Sequence, residues 1–334
     1  MNILLTGGLG YIGSHVAVVL LDAGHEVILL DNLSNCKIAV LDRLQDVTKK
    51  KLPFIYGDVR DQKFLEALFK ENHVDAVIHF AGLKAVGDSV KDPLSYYDNN
   101  IQGTISLLRA MQVTQVKKLV FSSSASVYGF PQYLPYDEEH PTSPQSPYGR
   151  TKLQIEEILK DVTLSDEGWS IIALRYFNPV GAHESGLIGE DPIGVPNNLM
   201  PYLVEVALGR FDEVKIFGGD YPTADGTGIR DYIHIMDLSE GHYLALKYIQ
   251  KNSGFIALNL GTGSGCSVFN LIRNFEEAAA IKIPHTIVER RGGDIAEYYA
   301  NPDKANRILG WSARRSISQM CRDEWNWRKN KAIS

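Results

Sequence analysis

The 334-residue sequence predicts an α/β protein: a doubly wound parallel sheet (Rossmann) with a smaller, discontinuous α/β substrate lobe. Three observations predict it. Short apolar runs alternate with amphipathic stretches through the first half, the strand–helix order of a parallel sheet. A glycine-spaced turn, Gly7, Gly10 and Gly13, separates the first run from the first amphipathic stretch. After Phe177 the texture shifts to Gly, Pro and Asn.

Taken in order, the apolar runs give strands at 2–6, 26–31, 53–57, 75–80, 117–123 and 170–176, with helices at 11–22, 61–71, 93–112 and 147–162. Pro147 suits the first position of the last of these helices. Beyond Phe177 a helix is expected at 198–208, capped by Asn197 or Asn198, then a long loop over 217–231. A helix at 237–250 and a strand at 255–260 return to the sheet, and one more strand is expected near 285–289. The expected division is 1–177 plus 233–261 for the nucleotide-binding domain, and 178–232 plus 262–334 for the second lobe.

Composition narrows the function. Hydrophobic residues make up 44% and charged residues 22%, as in soluble globular proteins, and the net charge of −6 argues against nucleic-acid or anionic-membrane partners. Three separated cysteines, Cys36, Cys266 and Cys321, form neither a disulfide framework nor a metal-ligand spacing, so no metal is expected. Met1–Thr6 enters an apolar strand at once and no long apolar run follows. Neither a signal peptide nor a transmembrane helix is expected, and the expected location is the cytoplasm.

The glycine turn carries the first chemistry. Gly7 allows a tight turn, Gly10 lets backbone approach a pyrophosphate, and Gly13 lets helix and strand pack closely. Amides at the helix N-terminus then face phosphates. Asp31 ends the second strand, 18 residues after Gly13, where its carboxylate accepts from an adenosine ribose and repels a 2′-phosphate. NAD is therefore the expected cofactor. Asp58 follows the third strand, placed either to read an adenine amino group or to cap the next helix.

Tyr148 and Lys152 carry the second. Four residues apart on one helix, they share a face. A free tyrosine is ionised in roughly one molecule per thousand at pH 7, so a half-ionised one needs about 4 kcal/mol. A cation some 4 Å away in a shielded site supplies about that. Tyr243 and Lys247 have the same spacing, so spacing alone decides nothing. In open α/β sheets, however, ligands lie beyond the carboxyl ends of the strands. Ser124 ends such a strand, placed to share a substrate hydroxyl with Tyr148. Gly82 and Lys84 follow another, offering close approach and a phosphate partner, and Asn99 is expected toward a nicotinamide.

Together Gly7-x-x-Gly10-x-x-Gly13, Ser124, Tyr148-x-x-x-Lys152 and Tyr176-Phe177-Asn178-Pro179-Val180-Gly181 resemble the extended short-chain dehydrogenase/reductase family, within it the branch that epimerises UDP-sugars at C4. The similarity runs nearly end to end. Asn197-Asn198-Leu199-Met200-Pro201, the loop from Asp225 to His234, and Arg291-Gly292-Gly293-Asp294 carry it through the second half. The resemblance implies that Tyr11, Ile12, Asn32, Val59, Phe80, Ala81, Ser122 and Tyr176 join the cofactor set. It implies that Phe177, Asn178, Asn198, Leu199, Phe217, Arg230, Tyr232, Arg291 and Asp294 line a UDP-sugar site. Two arginines suit a diphosphate and an aromatic ring suits uracil.

The implied reaction oxidises the sugar at C4 on tightly bound NAD, turns the 4-keto sugar over, and returns hydride to the other face. Tyr148 is the base, Lys152 lowers its pKa, and Ser124 assists proton transfer. Family 4,6-dehydratases carry an Asp-Glu pair where Ala125 and Ser126 stand here, which disfavours dehydration. A bulky residue at Tyr298 implies UDP-glucose and UDP-galactose over N-acetylated sugars. A 4-epimerase of another UDP-sugar, N-acetylhexosamine or hexuronate, is the alternative, ahead of a non-catalytic dinucleotide sensor. A homodimer through helices 93–112 and 147–162 is also implied.

Overall fold

The computed structural model describes residues 1–194, 196 and 198–333. At its centre is a seven-stranded parallel sheet. Six strands are β1 (Asn2–Thr6), β2 (Glu26–Asp31), β3 (Phe54–Tyr56), β4 (Ala76–His79), β5 (Lys118–Ser124) and β6 (Ser170–Tyr176). The seventh, Gly254–Leu260, pairs with β6, giving the order Gly254–Leu260, β6, β5, β4, β1, β2, β3. The predicted strands all form, each within a residue of its expected bounds.

Alternation along each strand divides the core in two. Ile3 and Leu5 pack with Val16 and Leu20 of helix Tyr11–Asp22 and Leu238 and Leu246 of helix Ile235–Ile249. Leu4 points the other way, onto Leu65 and Leu68 of helix Gln62–Glu71, Leu107 and Met111 of helix Gly103–Thr114, and Ile155 and Leu159 of helix Pro147–Ser165. Each such side chain contributes roughly 1.5–3 kcal/mol on leaving water. Caps fix where helices begin: Asp61 accepts from Phe64 N (3.0 Å) and Ser146 from Gly149 N (3.1 Å). Ser146 and Pro147 thus hold Tyr148 in the first turn of its helix.

The segment predicted as one helix at 93–112 differs. It runs as Pro93–Tyr96, a widened π-type turn Tyr97–Gln102, and then Gly103–Thr114. Inside the wide turn the Asn100 amide bonds both backbone groups of Leu83 (2.7 and 3.1 Å). Such bulges occur where a helix is bent to a local task. Helices Ala39–Thr48 and Val86–Lys91 were not predicted: the first buries only Leu44, and the second is six residues long.

The remaining chain builds a second apolar cluster, with Met200 and Leu203 of helix Leu199–Ala207, Leu271 and Phe275 of helix Val268–Ala279, and Cys321 of helix Ile317–Ile333. Strand His285–Val288 lies beside Val214–Phe217, and the long loop ends in the short strand Ile229–Arg230, next to Glu297–Tyr298. Asn198 stands at the cap of helix Leu199–Ala207, and Asn197 lies outside the described residues. Among the described residues no helix is long and apolar enough to cross a membrane, and no group of His, Cys, Asp and Glu is arranged to hold a metal.

Candidate active site

The glycine turn sits between β1 and helix Tyr11–Asp22, at the carboxyl edge of the sheet. Gly7 has φ +66°, and a Cβ there would lie 2.8 Å from Ala81 N. A Cβ on Gly13 would meet Gly7 O at 2.4 Å. No side chain fits at either position. Gly10 caps the helix without a side-chain bond, and the amides of Tyr11, Ile12 and Gly13 have no partner within the helix. The arrangement fits the pyrophosphate of a dinucleotide.

Beside it, Asp31 is buried and accepts from Leu9 N (3.1 Å) and Leu33 N (2.9 Å). Asn32 donates to Asp58 (3.0 Å), and Arg60 holds the Asp58 carboxyl down at about 2. The capping role open to Asp58 belongs to Asp61. Val59 is buried, Ala81 N donates to Thr6 O (3.1 Å), and Phe80 packs on His242 (5.1 Å between centroids). Asn99 is half-buried in the wide turn, while its neighbour Asn100 is buried and bonds Thr151 (3.1 Å). The hydroxyl of Tyr11 donates to Gly181 O (2.5 Å), joining the nucleotide-loop helix to the chain beyond β6.

Ser124, Tyr148 and Lys152 converge at the end of β5. Ser124 lies close enough to the Tyr148 phenol to pull its pKa down, and its Oγ accepts from Ser126 N (3.1 Å). Lys152 is buried, donates to Ser122 O (2.6 Å), and lies 5.9 Å from the Tyr148 ring centroid. Gly82 stands over this lysine: a Cβ there would be 3.8 Å from its Nζ. Tyr176 bonds His242 and closes the floor.

Two expectations are corrected here. Burial pushes the Tyr148 phenol above its ordinary value, outweighing Ser124 and the charge of Lys84, which both pull it down. Burial also draws Lys152 down to about 8, and its ammonium is spent on the Ser122 carbonyl. The cation acting on the phenol is therefore Lys84. That lysine, expected on phosphates, pairs with Glu190 (2.9 Å), whose carboxylate holds it above the ordinary lysine value.

Opposite lie the residues of the second half. Arg230 donates to the carbonyls of Ile229 and Ile295 (both 2.8 Å), and its Nη2 is 3.9 Å from Asp294. Arg291 lies over the Phe217 ring at 3.7 Å, so the aromatic face expected to take uracil carries a guanidinium. Exposed Asn198 makes no capping bond with its side chain, which leaves its amide free of helix duty. Leu199 and Asn178 are half-buried. Tyr232, expected in the ligand site, is instead packed in the apolar cluster with Val180, Met200 and Cys266, because its strand pairs beside Asn178 and turns the ring inward. Tyr298 contacts Phe177 (5.3 Å) and Tyr136 (4.9 Å), and its buried hydroxyl has no partner.

Sequence reasoning missed Glu190, Asn100 and Tyr136. Only Asn100 had a local signal, the spacing to Thr104, whose hydroxyl donates to its carbonyl (2.6 Å).

A glycine cradle at the sheet's carboxyl edge, joined to a Ser, Tyr and Lys cluster at the next strand end, defines an extended short-chain dehydrogenase/reductase. The family model described as GDP-mannose 4,6 dehydratase matches residues 4–324. UDP-glucose 4-epimerase of Bacillus subtilis is 52% identical over 330 residues, 99% of this chain and 97% of the relative. The crystal structure of UDP-glucose 4-epimerase from Stenotrophomonas maltophila, with bound NAD and formylated UDP-arabinopyranose, is 50% identical, with a TM-score of 0.98 over 100% of this chain and 99% of the other. That from Bifidobacterium longum, in complex with NAD⁺ and UDP, is 49% identical with a TM-score of 0.96, covering 99% of each chain. The chain belongs to the UDP-glucose 4-epimerase family.

Proposed function

We propose that this protein is an isomerase that interconverts UDP-galactose and UDP-glucose on resident NAD, acting in the cytoplasm as a homodimer. The observation that carries the reading is the convergence of Ser124, Tyr148 and Lys152 beside the Gly7–Gly13 cradle, in a chain half identical to UDP-glucose 4-epimerases.

The cradle, Asp31 and Asp58 hold the dinucleotide, with Gly82, Asn99 and Lys152 toward its reactive end. When bound, NAD supplies the hydride acceptor and donor for the sugar C4. Tyr148 takes the proton of the sugar 4-hydroxyl and returns it, with Ser124 bonding the same oxygen. Lys84 stabilises the phenolate. Arg230 and Arg291 pair with the diphosphate, Asn178 and Asn198 offer amides, Leu199 and Phe217 flank uracil, and Asp294 accepts from ribose hydroxyls. The site thus grips the nucleotide and leaves the sugar room to turn over. Tyr298 and Phe177 wall the sugar pocket, which favours a 2-hydroxyl over an acetamido group.

Residues 1–177 plus 233–261 form the nucleotide half and the rest forms the sugar half. Exposed Val86, Val90, Leu94 and Leu164 on adjoining helices support the dimer. Ala125 and Ser126, with no carboxylate to drive elimination, speak against dehydration.

The test is to incubate the purified protein with UDP-galactose, add no cofactor, and assay UDP-glucose. Absence of product with NAD shown to be bound overturns the reading.

A further inference from the structure

Behind the catalytic groups lies a buried ion pair that the chemistry above leaves unused. Glu156 and Arg175 are 4% and 7% exposed. Arg175 reaches Glu156 through Nε (3.0 Å) and Nη2 (2.6 Å), and donates through Nη1 to the Tyr128 hydroxyl (3.0 Å). Tyr128 in turn donates to Asn259 Oδ1 (2.6 Å). Ser123 Oγ donates to the same Glu156 carboxylate. A buried ion pair is weak evidence for stability, since apolar residues of equal volume often do as well. What distinguishes this one is its position.

Glu156 follows Lys152 by one helical turn and Tyr148 by two, so all three share a face. Its partner Ser123 stands between Ser122, whose carbonyl holds the Lys152 ammonium, and Ser124, which lies by the Tyr148 phenol. We propose that Glu156 is a positioning residue of the site: it fastens the serine end of β5 to the helix carrying Tyr148 and Lys152, and sets its carboxylate facing the Lys152 ammonium. The inference rests on Tyr148 acting as the base.

Lys152 is faced from every side. β5 presents the Phe121 ring (4.9 Å to its centroid) and the Ser122 carbonyl. β4 presents His79, neutral because burial draws it down to about 3. The wide turn presents Asn100 across Gly82. Lys84, beyond Tyr148, is paired with Glu190, and Arg175 on β6 is spent on Glu156. Against burial, Glu156 is the group that favours the charged lysine. With Glu156 neutral, Lys152 loses its proton at lower pH.

The experiment uses the purified holoenzyme and needs no turnover. Lys152 titration is followed by NMR of lysine side chains labelled at Cε, the resonance being assigned by its absence from the Lys152→Met counterpart. In Glu156→Gln the midpoint is expected to fall by about one pH unit, a tenfold loss of charged lysine above it. In Glu156→Asp, which keeps the charge, it stays near the wild-type midpoint. An unchanged midpoint in folded Glu156→Gln, with only a lower Tm, makes the pair a structural tie and sinks the proposal. If that variant does not fold, Glu156→Gln with Arg175→Met removes both charges together and must move the midpoint the same way. An epimerase whose midpoint does not move loses this inference alone; a shifted midpoint in a protein without epimerase activity overturns the proposed function alone.

Discussion

Replacing Tyr298 with serine tests how the pocket chooses its sugar. The ring is half-buried, 4.9 Å from the Tyr136 centroid and 5.3 Å from that of Phe177. Its hydroxyl has no partner, so truncation breaks no hydrogen bond. The stability cost is therefore two aromatic contacts, about 0.5–1.5 kcal/mol each, plus part of a ring's burial. The sum is about 2–4 kcal/mol, within what a folded domain withstands. On the substrate side, even one methylene of steric room is worth about 10–200-fold in discrimination. An acetamido group is larger. The expected result is a gain of at least about tenfold in kcat/KM for UDP-N-acetylglucosamine, with a smaller change for UDP-galactose. Both sugars are assayed on the same preparation, with Tm measured in parallel. A folded variant that turns over UDP-galactose and still rejects the N-acetyl sugar refutes Tyr298 as the wall.

Tyr148→Phe keeps the ring and removes the proton carrier; kcat for UDP-galactose should fall by about 10²–10⁴ with Tm little changed, and near-normal turnover would remove Tyr148 from proton transfer. Lys152 has a folded pKa of about 8 against an ordinary 10.5. The unfolded chain thus binds that proton more tightly, so this lysine weakens folding by roughly 3 kcal/mol below pH 8, a burden lifted as pH rises toward 10.5. Lys152→Met lifts the burden at neutral pH but strands the Ser122 carbonyl, worth about 1–3 kcal/mol. Calorimetry at pH 7 should give a Tm at or above wild type in an inactive protein, and a large fall contradicts the accounting. Gly13→Ala places a methyl 2.4 Å from Gly7 O, backbone that cannot yield cheaply. About 1–3 kcal/mol of stability and the bound NAD should both go, read by denaturant titration and by NAD content, and full NAD retention would contradict the cradle.

Elements with a local cause were legible in the chain. β1 alternates Ile3, Leu4 and Leu5 between two cores, and Pro147 starts its helix where the proline predicts. Gly13 was legible because a steric need writes itself as a glycine. Glu190 was not, because it meets Lys84 across 106 residues and stands in a loop without periodicity. Glu156 looks like any helical glutamate until β5 and β6 close over it. Most instructive is the decoy: Lys247 lies 5.4 Å from the Tyr243 ring, as Lys152 lies 5.9 Å from Tyr148. Local geometry is the same in both pairs. Only the second stands at the end of a central strand, and that depends on the whole sheet.

The sheet also dictates an order of birth. β6 is buried at all seven residues, yet its outer neighbour, Gly254–Leu260, emerges only after the chain has made its excursion through the second apolar cluster. On a ribosome the nucleotide half must wait with an apolar strand edge unpaired. A nascent chain halted before Leu260 should therefore be sticky, captured by holding chaperones and cut readily by proteases. Release of the last strand would be the moment at which that edge seals.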